Sequence, residues 1–224
     1  MRGLMTERRV LGGLMLAMAG VSPNILPVAQ AGFSKMSVLA VSVLLPSVGL
    51  LAGVIAVSAA RGHKDLVRRA LGGTAAGAIA TIGLEVVRTM SFRLGGMPGD
   101  LPRLMGVLLT DRFMLGPSAL SDALGYAHHY WNGASFGLIF AVLAGKRPVA
   151  WALIYAELIG VGFLASPAVK AMGIGFMGAD MPSMPVTVLL AHAAFGLVLG
   201  LISQKPHDRA GRERRLEDQA ESLE

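Results

Sequence analysis

The stretch His129-Tyr130-Trp131-Asn132-Gly133-Ala134-Ser135-Phe136-Gly137-Leu138-Ile139 decides the class of this protein. Its frame, His-x3-Gly-x3-Gly-Leu-Ile, returns at His192, Gly196, Gly200, Leu201 and Ile202. Positions i, i+4 and i+8 fall on one face of an α-helix. Each copy therefore carries a smooth glycine stripe with an imidazole near its top. Both copies lie in apolar stretches long enough to cross a bilayer. Glycine suits a close-packed helix pair, and histidine suits a bound metal or haem.

Composition points the same way. Of the 224 residues, 54% are hydrophobic and only 15% are charged. Mean hydropathy is +0.60. A soluble domain carries about 25% charged residues, so this balance belongs to a polytopic membrane protein. Cysteine is absent, which excludes disulfides, zinc–thiolate sites, iron–sulfur clusters, c-type haem attachment and cysteine nucleophiles. The formal charge of +6 sits mainly between apolar segments. It sets topology and does not mark a nucleic-acid partner.

A membrane span needs about 20 mostly apolar residues. Six segments qualify: 10–31, 37–60, 69–91, 123–144, 149–168 and 185–203. The expected fold is an all-α, polytopic bundle of six transmembrane helices forming a single domain over 1–204, with a charged cytoplasmic tail at 205–224. Pro23 and Pro27 flank Asn24 in the first segment, so a kink or break is expected there. That segment also has the marks of a secretory signal. Arg8 and Arg9 precede an apolar core, and Ala29-Gln30-Ala31 suits a signal peptidase. It is read as a retained span; cleavage would leave five.

Fourteen of the 20 basic residues gather on one side. They are Arg2, Arg8, Arg9, Arg61, Lys64, Arg68, Arg69, Lys146, Arg147, Lys205, Arg209, Arg212, Arg214 and Arg215. The positive-inside rule then places both termini in the cytoplasm, in a bacterial inner membrane. The longest outer connection, 92–122, should hold an interfacial or partly re-entrant helix over Leu104–Met114 that caps the bundle. Small-xxx-small pairs recur at Gly49/Gly53, Gly73/Gly77, Gly133/Gly137 and Gly196/Gly200. In lipid they let helix backbones approach. They serve the bundle itself, a homo-oligomer or a membrane-complex partner.

Ionisable residues inside spans are costly, and so are candidates for function. Here they are Glu85, Arg88, His128, His129, Glu157 and His192, with Asn132 as a polar neighbour. Counting helical rise puts His129 and His192 about 9 Å below the outer surface, in one layer with Glu85. The spans carrying the two histidines run parallel, so their stripes are expected to face each other. The leading expectation is a metal ion (iron, copper or zinc) or haem b held by His129 and His192. Glu157 and Glu85 would be ligands or nearby acids, supported by His128, Asn132 and Arg88. Such a protein would serve electron transfer or metal handling. A second reading makes the same residues a relay in a small proton-coupled transporter or channel-like subunit. A third is a structural or assembly subunit in which each histidine bonds a neighbouring carbonyl or carboxylate and glycine lets the helices touch. Glu85 and Arg88, spaced i, i+3, also fit a plain intrahelical pair. The outer methionines Met90, Met97, Met105, Met114, Met177, Met181 and Met184 fit a Cu(I) entry route or simple apolar filling. No catalytic residue is assigned.

At His128-His129-Tyr130-Trp131-Asn132-Gly133, at Ala191-His192-Ala193-Ala194-Phe195-Gly196, and at Gly72-Gly73-Thr74-Ala75-Ala76-Gly77 through Glu85, the chain resembles a loose group of uncharacterised small bacterial polytopic membrane proteins with His-x3-Gly helix starts. The resemblance covers about 70–205. It implies a membrane helix bundle and no mechanism, with the stretch before residue 60 as an addition.

Overall fold

The computed structural model describes residues 2–145 and 147–221, with side chains for 5–145 and 147–204. Lys146 and the side chains of Arg2, Lys205, Arg209, Arg212, Arg214 and Arg215 lie outside that set, so the expected basic side rests here on Arg8, Arg9, Arg61, Lys64, Arg68, Arg69 and Arg147. The fold is all-α, with no strand among the described residues.

The chain runs α1 (Arg2–Ala19), α2 (Val21–Gln30), α3 (Met36–Leu39), α4 (Leu45–Ala60), α5 (Lys64–Arg93), α6 (Leu101–Leu109), α7 (Ala119–Ala144), α8 (Val149–Leu164), α9 (Pro167–Ala171) and α10 (Ser183–Glu221). Among the described residues, five helices are long and apolar enough to cross a membrane: Met5–Gln30, Met36–Ala60, Lys64–Arg93, Val149–Ala171 and Ser183–Gln204. The fourth expected segment, α7, is 26 residues long. Its middle carries His128, His129 and Asn132, which lower its hydropathy.

Local sequence explains the breaks. Pro23 has no N–H to donate to the Ala19 carbonyl, and the first span divides at Gly20 into α1 and α2. The Asn24 amide donates to the Gly20 carbonyl at 2.7 Å beside that break. Pro46 has the same defect. The turn Ala40–Leu44 before it widens into a π-helix, in which Leu45 N–H reaches back to the Ala40 carbonyl. Ser118 starts α7 with a reciprocal capping box to Ser121. Gly145 ends α7 at φ +61°, a conformation that side chains other than glycine rarely adopt. Pro102 fits the first turn of α6. That helix covers Leu101–Leu109 rather than Leu104–Met114, because Thr110 closes it and Asp111 turns at φ +53°. Its inner face, including Pro102, Met105 and Gly106, is buried, and it packs on α7. α10 continues as one helix to Glu221, so the tail extends the last span.

Four long helices form the core, with α5 between α7 and α10, and α8 on the far side of α10. Ala76 and Ala80 of α5 pack with Phe140 of α7, Ala152 and Ala156 of α8, and Phe195 and Leu199 of α10. α1 and α4 form a second layer. There Met15 is fully buried among Leu51, Leu66, Ala70 and Leu138.

The two glycine stripes do not face each other, as the sequence reading expects. Each closes on an antiparallel neighbour. A Cβ on Gly77 would lie 2.8 Å from the Gly137 Cα, and one on Gly137 would lie 2.6 Å from the Gly77 Cα. A Cβ on Gly196 would lie 2.8 Å from the Ala156 Cβ, and one on Gly200 would lie 2.9 Å from Val149 Cγ1. The repeat is thus a packing device used twice, for α7 on α5 and for α10 on α8. A third close approach, Gly106 against Gly125, docks α6 on α7. Gly49 and Gly53 have open space beside them.

Candidate functional site

The packing of α5 on α7 sets the central feature. With backbones in contact at Gly77 and Gly137, residues two turns further toward α6 are held opposite one another. Glu85 of α5 meets His129 of α7, with His129 Nε2 2.9 Å from Glu85 Oε1. One turn along α5, Arg88 clamps the same carboxylate. Its Nε donates to Glu85 Oε1 at 2.6 Å and its Nη2 to Oε2 at 2.8 Å. This fork-to-fork geometry is the strong form of an ion pair. Arg88 is 3% exposed and Glu85 9%, so pairing them offsets a large desolvation cost.

The network goes further than the intrahelical pair. Asp100, in the turn before α6, places Oδ1 3.2 Å from Arg88 Nη1. The Tyr126 hydroxyl donates to Asp100 Oδ2 at 3.2 Å. A line of Asp100, Arg88, Glu85 and His129 therefore crosses from the loop end into the bundle. Arg88 Nη1, although near Asp100, has no aligned hydrogen-bond partner among the described residues.

Two members of this line, Arg88 and His129, face a cavity of about 400 Å³ between α2, α5, α6, α7, α8 and α10. Arg88, His129, Asn132 and His192 all line it, while Leu84, Met105, Phe136, Phe163 and Phe195 supply an apolar wall. Neither Glu85 nor Asp100 is among the lining residues. The cavity thus shows a guest the Arg88 guanidinium and keeps the two acids behind it. On the α2 side the Ser22 hydroxyl donates to Asn132 Oδ1. On the α10 side the Ser91 and Thr187 hydroxyls bond at 2.5 Å, tying α5 to α10.

His192 has a different partner. Its Nδ1 is 2.7 Å from the Val188 carbonyl of its own helix. That nitrogen must carry the proton, which leaves Nε2 as the basic one. The ring lies against Gly160 of α8, where a Cβ would come 3.0 Å from His192 Cγ.

The remaining expected site residues fall outside this group. His128 is buried, and neither of its ring nitrogens has a hydrogen-bond partner among the described residues. It is absent from the cavity lining. Glu157 is partly exposed on α8, away from that lining, and no hydrogen bond or ion pair joins it to the described residues. The structure therefore brings Glu85, Arg88 and His129 together, and lets Asn132 and His192 share their cavity. It does not bring Glu157 to the histidines. Among the described residues, no three His, Asp or Glu side chains converge as a metal site would require. The methionines divide as well. Met97 and Met105 line the cavity, Met177, Met181 and Met184 pack with Leu164, Val169 and Val188, and Met90 and Met114 are exposed.

The sequence reading missed Asp100 and Tyr126. Tyr126 shares a helical face with His129 at i−3. Asp100 is the nearest acid beyond Arg88, in a glycine-rich turn that brings the chain back over the bundle. At the α6 end two further pairs fasten the loops: Lys35–Asp111 at 2.6 Å and Arg103–Asp122 at 3.0 Å. The Asp122 carboxylate accepts a hydrogen bond from Arg103 and holds its guanidinium above its ordinary range. No family model, curated protein or solved structure matches the chain.

Proposed function

We propose that the chain is a proton-linked binding or transport protein of a bacterial inner membrane, with its site in the cavity beside Arg88 and His129. α7 is then the sixth span, its polar middle turned to α5 and the cavity. Both termini lie in the cytoplasm, and α6 is at the outer surface. Because the natural chain has no cysteine, single cysteines at Gly62 and Gly99 test this directly. A membrane-impermeant thiol reagent should label Gly99→Cys from outside and Gly62→Cys only after lysis. The opposite pattern rejects the topology.

One observation carries the functional reading: a buried arginine and a half-buried histidine, both tied to Glu85, face a cavity with a large apolar wall. Glu85, Asp100 and Arg88 together carry one negative charge. Arg88 faces the cavity as a fixed cation while Glu85 and Asp100 do not line it, so the fitting guest has an apolar body and a carboxylate end. Binding such an anion favours the protonated imidazole, which couples occupancy to proton uptake. The test uses detergent-purified protein in weakly buffered solution, with benzoate and octanoate beside benzylamine and octylamine. The carboxylates should raise the melting temperature and draw a proton from solution, and His129→Gln should abolish the proton uptake. Equal response to the amines, or uptake unchanged in His129→Gln, overturns the reading.

A second reading rests on His129 and His192 lining the same cavity. Two imidazoles there would hold haem b, or iron, copper or zinc, for electron transfer or metal handling. An optical spectrum and elemental analysis decide it. Stoichiometric metal that is lost in folded His129→Ala/His192→Ala protein supports this reading over the first.

A further inference from the structure

At the end of the bundle opposite α6, a second groove of about 400 Å³ opens between α1, α5 and α7. Arg8, Arg9 and Arg69 line it, and all three are exposed. No carboxylate pairs with any of them among the described residues; Glu7, next to Arg8 in sequence, lies beside Arg61 and His63 instead. Below the guanidinium groups the lining turns apolar, with Leu16 and Val142, and its floor includes Gly12 and Gly13. A Cβ on Gly13 would meet nothing within 4 Å, so no described residue closes this floor. The surface beyond it is also apolar: Val10 and Leu14 are 56% and 43% exposed.

We infer that this groove binds an anionic phospholipid, its phosphate on Arg8, Arg9 and Arg69 and the start of an acyl chain along Gly13 and Leu16. Arginine suits phosphate because its planar fork donates two hydrogen bonds at once. Three guanidinium groups with no carboxylate partner among the described residues, at the mouth of an apolar trough, match a charged head joined to a hydrocarbon tail. A free phosphate would use the first part and leave the trough unfilled. Basic pockets at the cytoplasmic ends of membrane helices recognise anionic lipids by this combination. The inference rests on the membrane topology above and not on the cavity beside Arg88.

Native mass spectrometry of the full chain in detergent, with dioleoylphosphatidylglycerol and dioleoylphosphatidylcholine supplied in equal amounts, tests it. Phosphatidylglycerol should be retained preferentially. Each arginine replaced by glutamine should weaken retention about fivefold. Gly13→Trp, which keeps every charge and fills the trough, should weaken it as well. Lys64→Gln/Arg68→Gln, which removes two charges from the same end outside the groove, should leave retention unchanged. Equal retention of the two lipids overturns the assignment. So does full retention in a folded Gly13→Trp protein, or a loss in Lys64→Gln/Arg68→Gln as large as that from the groove arginines. Displacement of the lipid by millimolar inorganic phosphate would reassign the arginines to a free anion. Melting curves on every variant separate loss of the lipid from loss of the fold.

Discussion

Around His129 the repeated motif is completed by an acid from the neighbouring helix. Around His192 the same motif meets a glycine. The two copies dock alike, with Gly133 and Gly137 on α5 and Gly196 and Gly200 on α8. Where α5 presents Glu85 to His129, α8 presents Gly160 to His192. His192 then satisfies one nitrogen on the Val188 carbonyl of its own helix. Glycine spacing therefore specifies helix packing, while the residue opposite decides whether the imidazole joins a charge network or bonds only within its own helix. A repeat in sequence need not be a repeat in chemistry.

The strongest way to break the asymmetry is to remove the cation on which only one copy depends. Arg88→Met leaves the Glu85 carboxylate buried beside a histidine and without its bidentate partner. We expect a loss of about 3–5 kcal/mol, the usual consequence of orphaning a buried charge. Thermal unfolding in detergent measures it, and Glu85→Gln/Arg88→Met should recover part of the loss. A single variant as stable as the parent would show that the pair contributes nothing.

Next in size is the shared feature. Gly77→Ala drives a methyl into the Gly133 carbonyl and the Gly137 backbone, and should cost about 1–3 kcal/mol or more by overpacking. Gly53→Ala, beside open space, should stay within about 0.5 kcal/mol of the parent. If the two variants melt together, contact between α5 and α7 does not govern stability.

The histidines themselves sharpen the contrast. His129→Gln should abolish ligand-linked proton uptake, whereas His192→Gln should preserve it, because Val188 already fixes the His192 tautomer. Equal losses would make the copies functionally equivalent. Among the substitutions that touch the two copies, the smallest effect is expected at Gly160→Ala. Its methyl would lie 3.0 Å from the His192 ring, and a shift of that ring should cost roughly 1 kcal/mol.

Much of this was legible in the chain, and the limits are physical. Helical periodicity and apolar length pointed to the long helices, five of which are apolar enough to cross a membrane, and Pro23 and Pro27 marked the break at Gly20. Glu85, Arg88 and His129 stood out because ionisable groups in apolar helices need partners. Depth counting placed Glu85 and His129 in one layer, yet it says nothing about rotation around a helix axis. For that reason it put the two glycine stripes face to face, and it grouped Glu157 with the histidines although α8 turns that carboxyl elsewhere. Asp100 was invisible for another reason. Its role depends on a loop returning over the bundle, and no periodicity encodes a loop's path.

The contact between α5 and α7 has one more consequence. Gly77 and Gly137 meet backbone to backbone, with no side chain between them to compress or change rotamer. The separation of Glu85 from His129 is therefore inherited from peptide geometry, as if measured by a ruler. A thicker or thinner bilayer can tilt the outer helices α4 and α8, few of whose residues are buried in the bundle. It cannot easily lengthen that seam. The alignment of acid and imidazole should thus tolerate changes in lipid composition that alter the outline of the rest of the molecule.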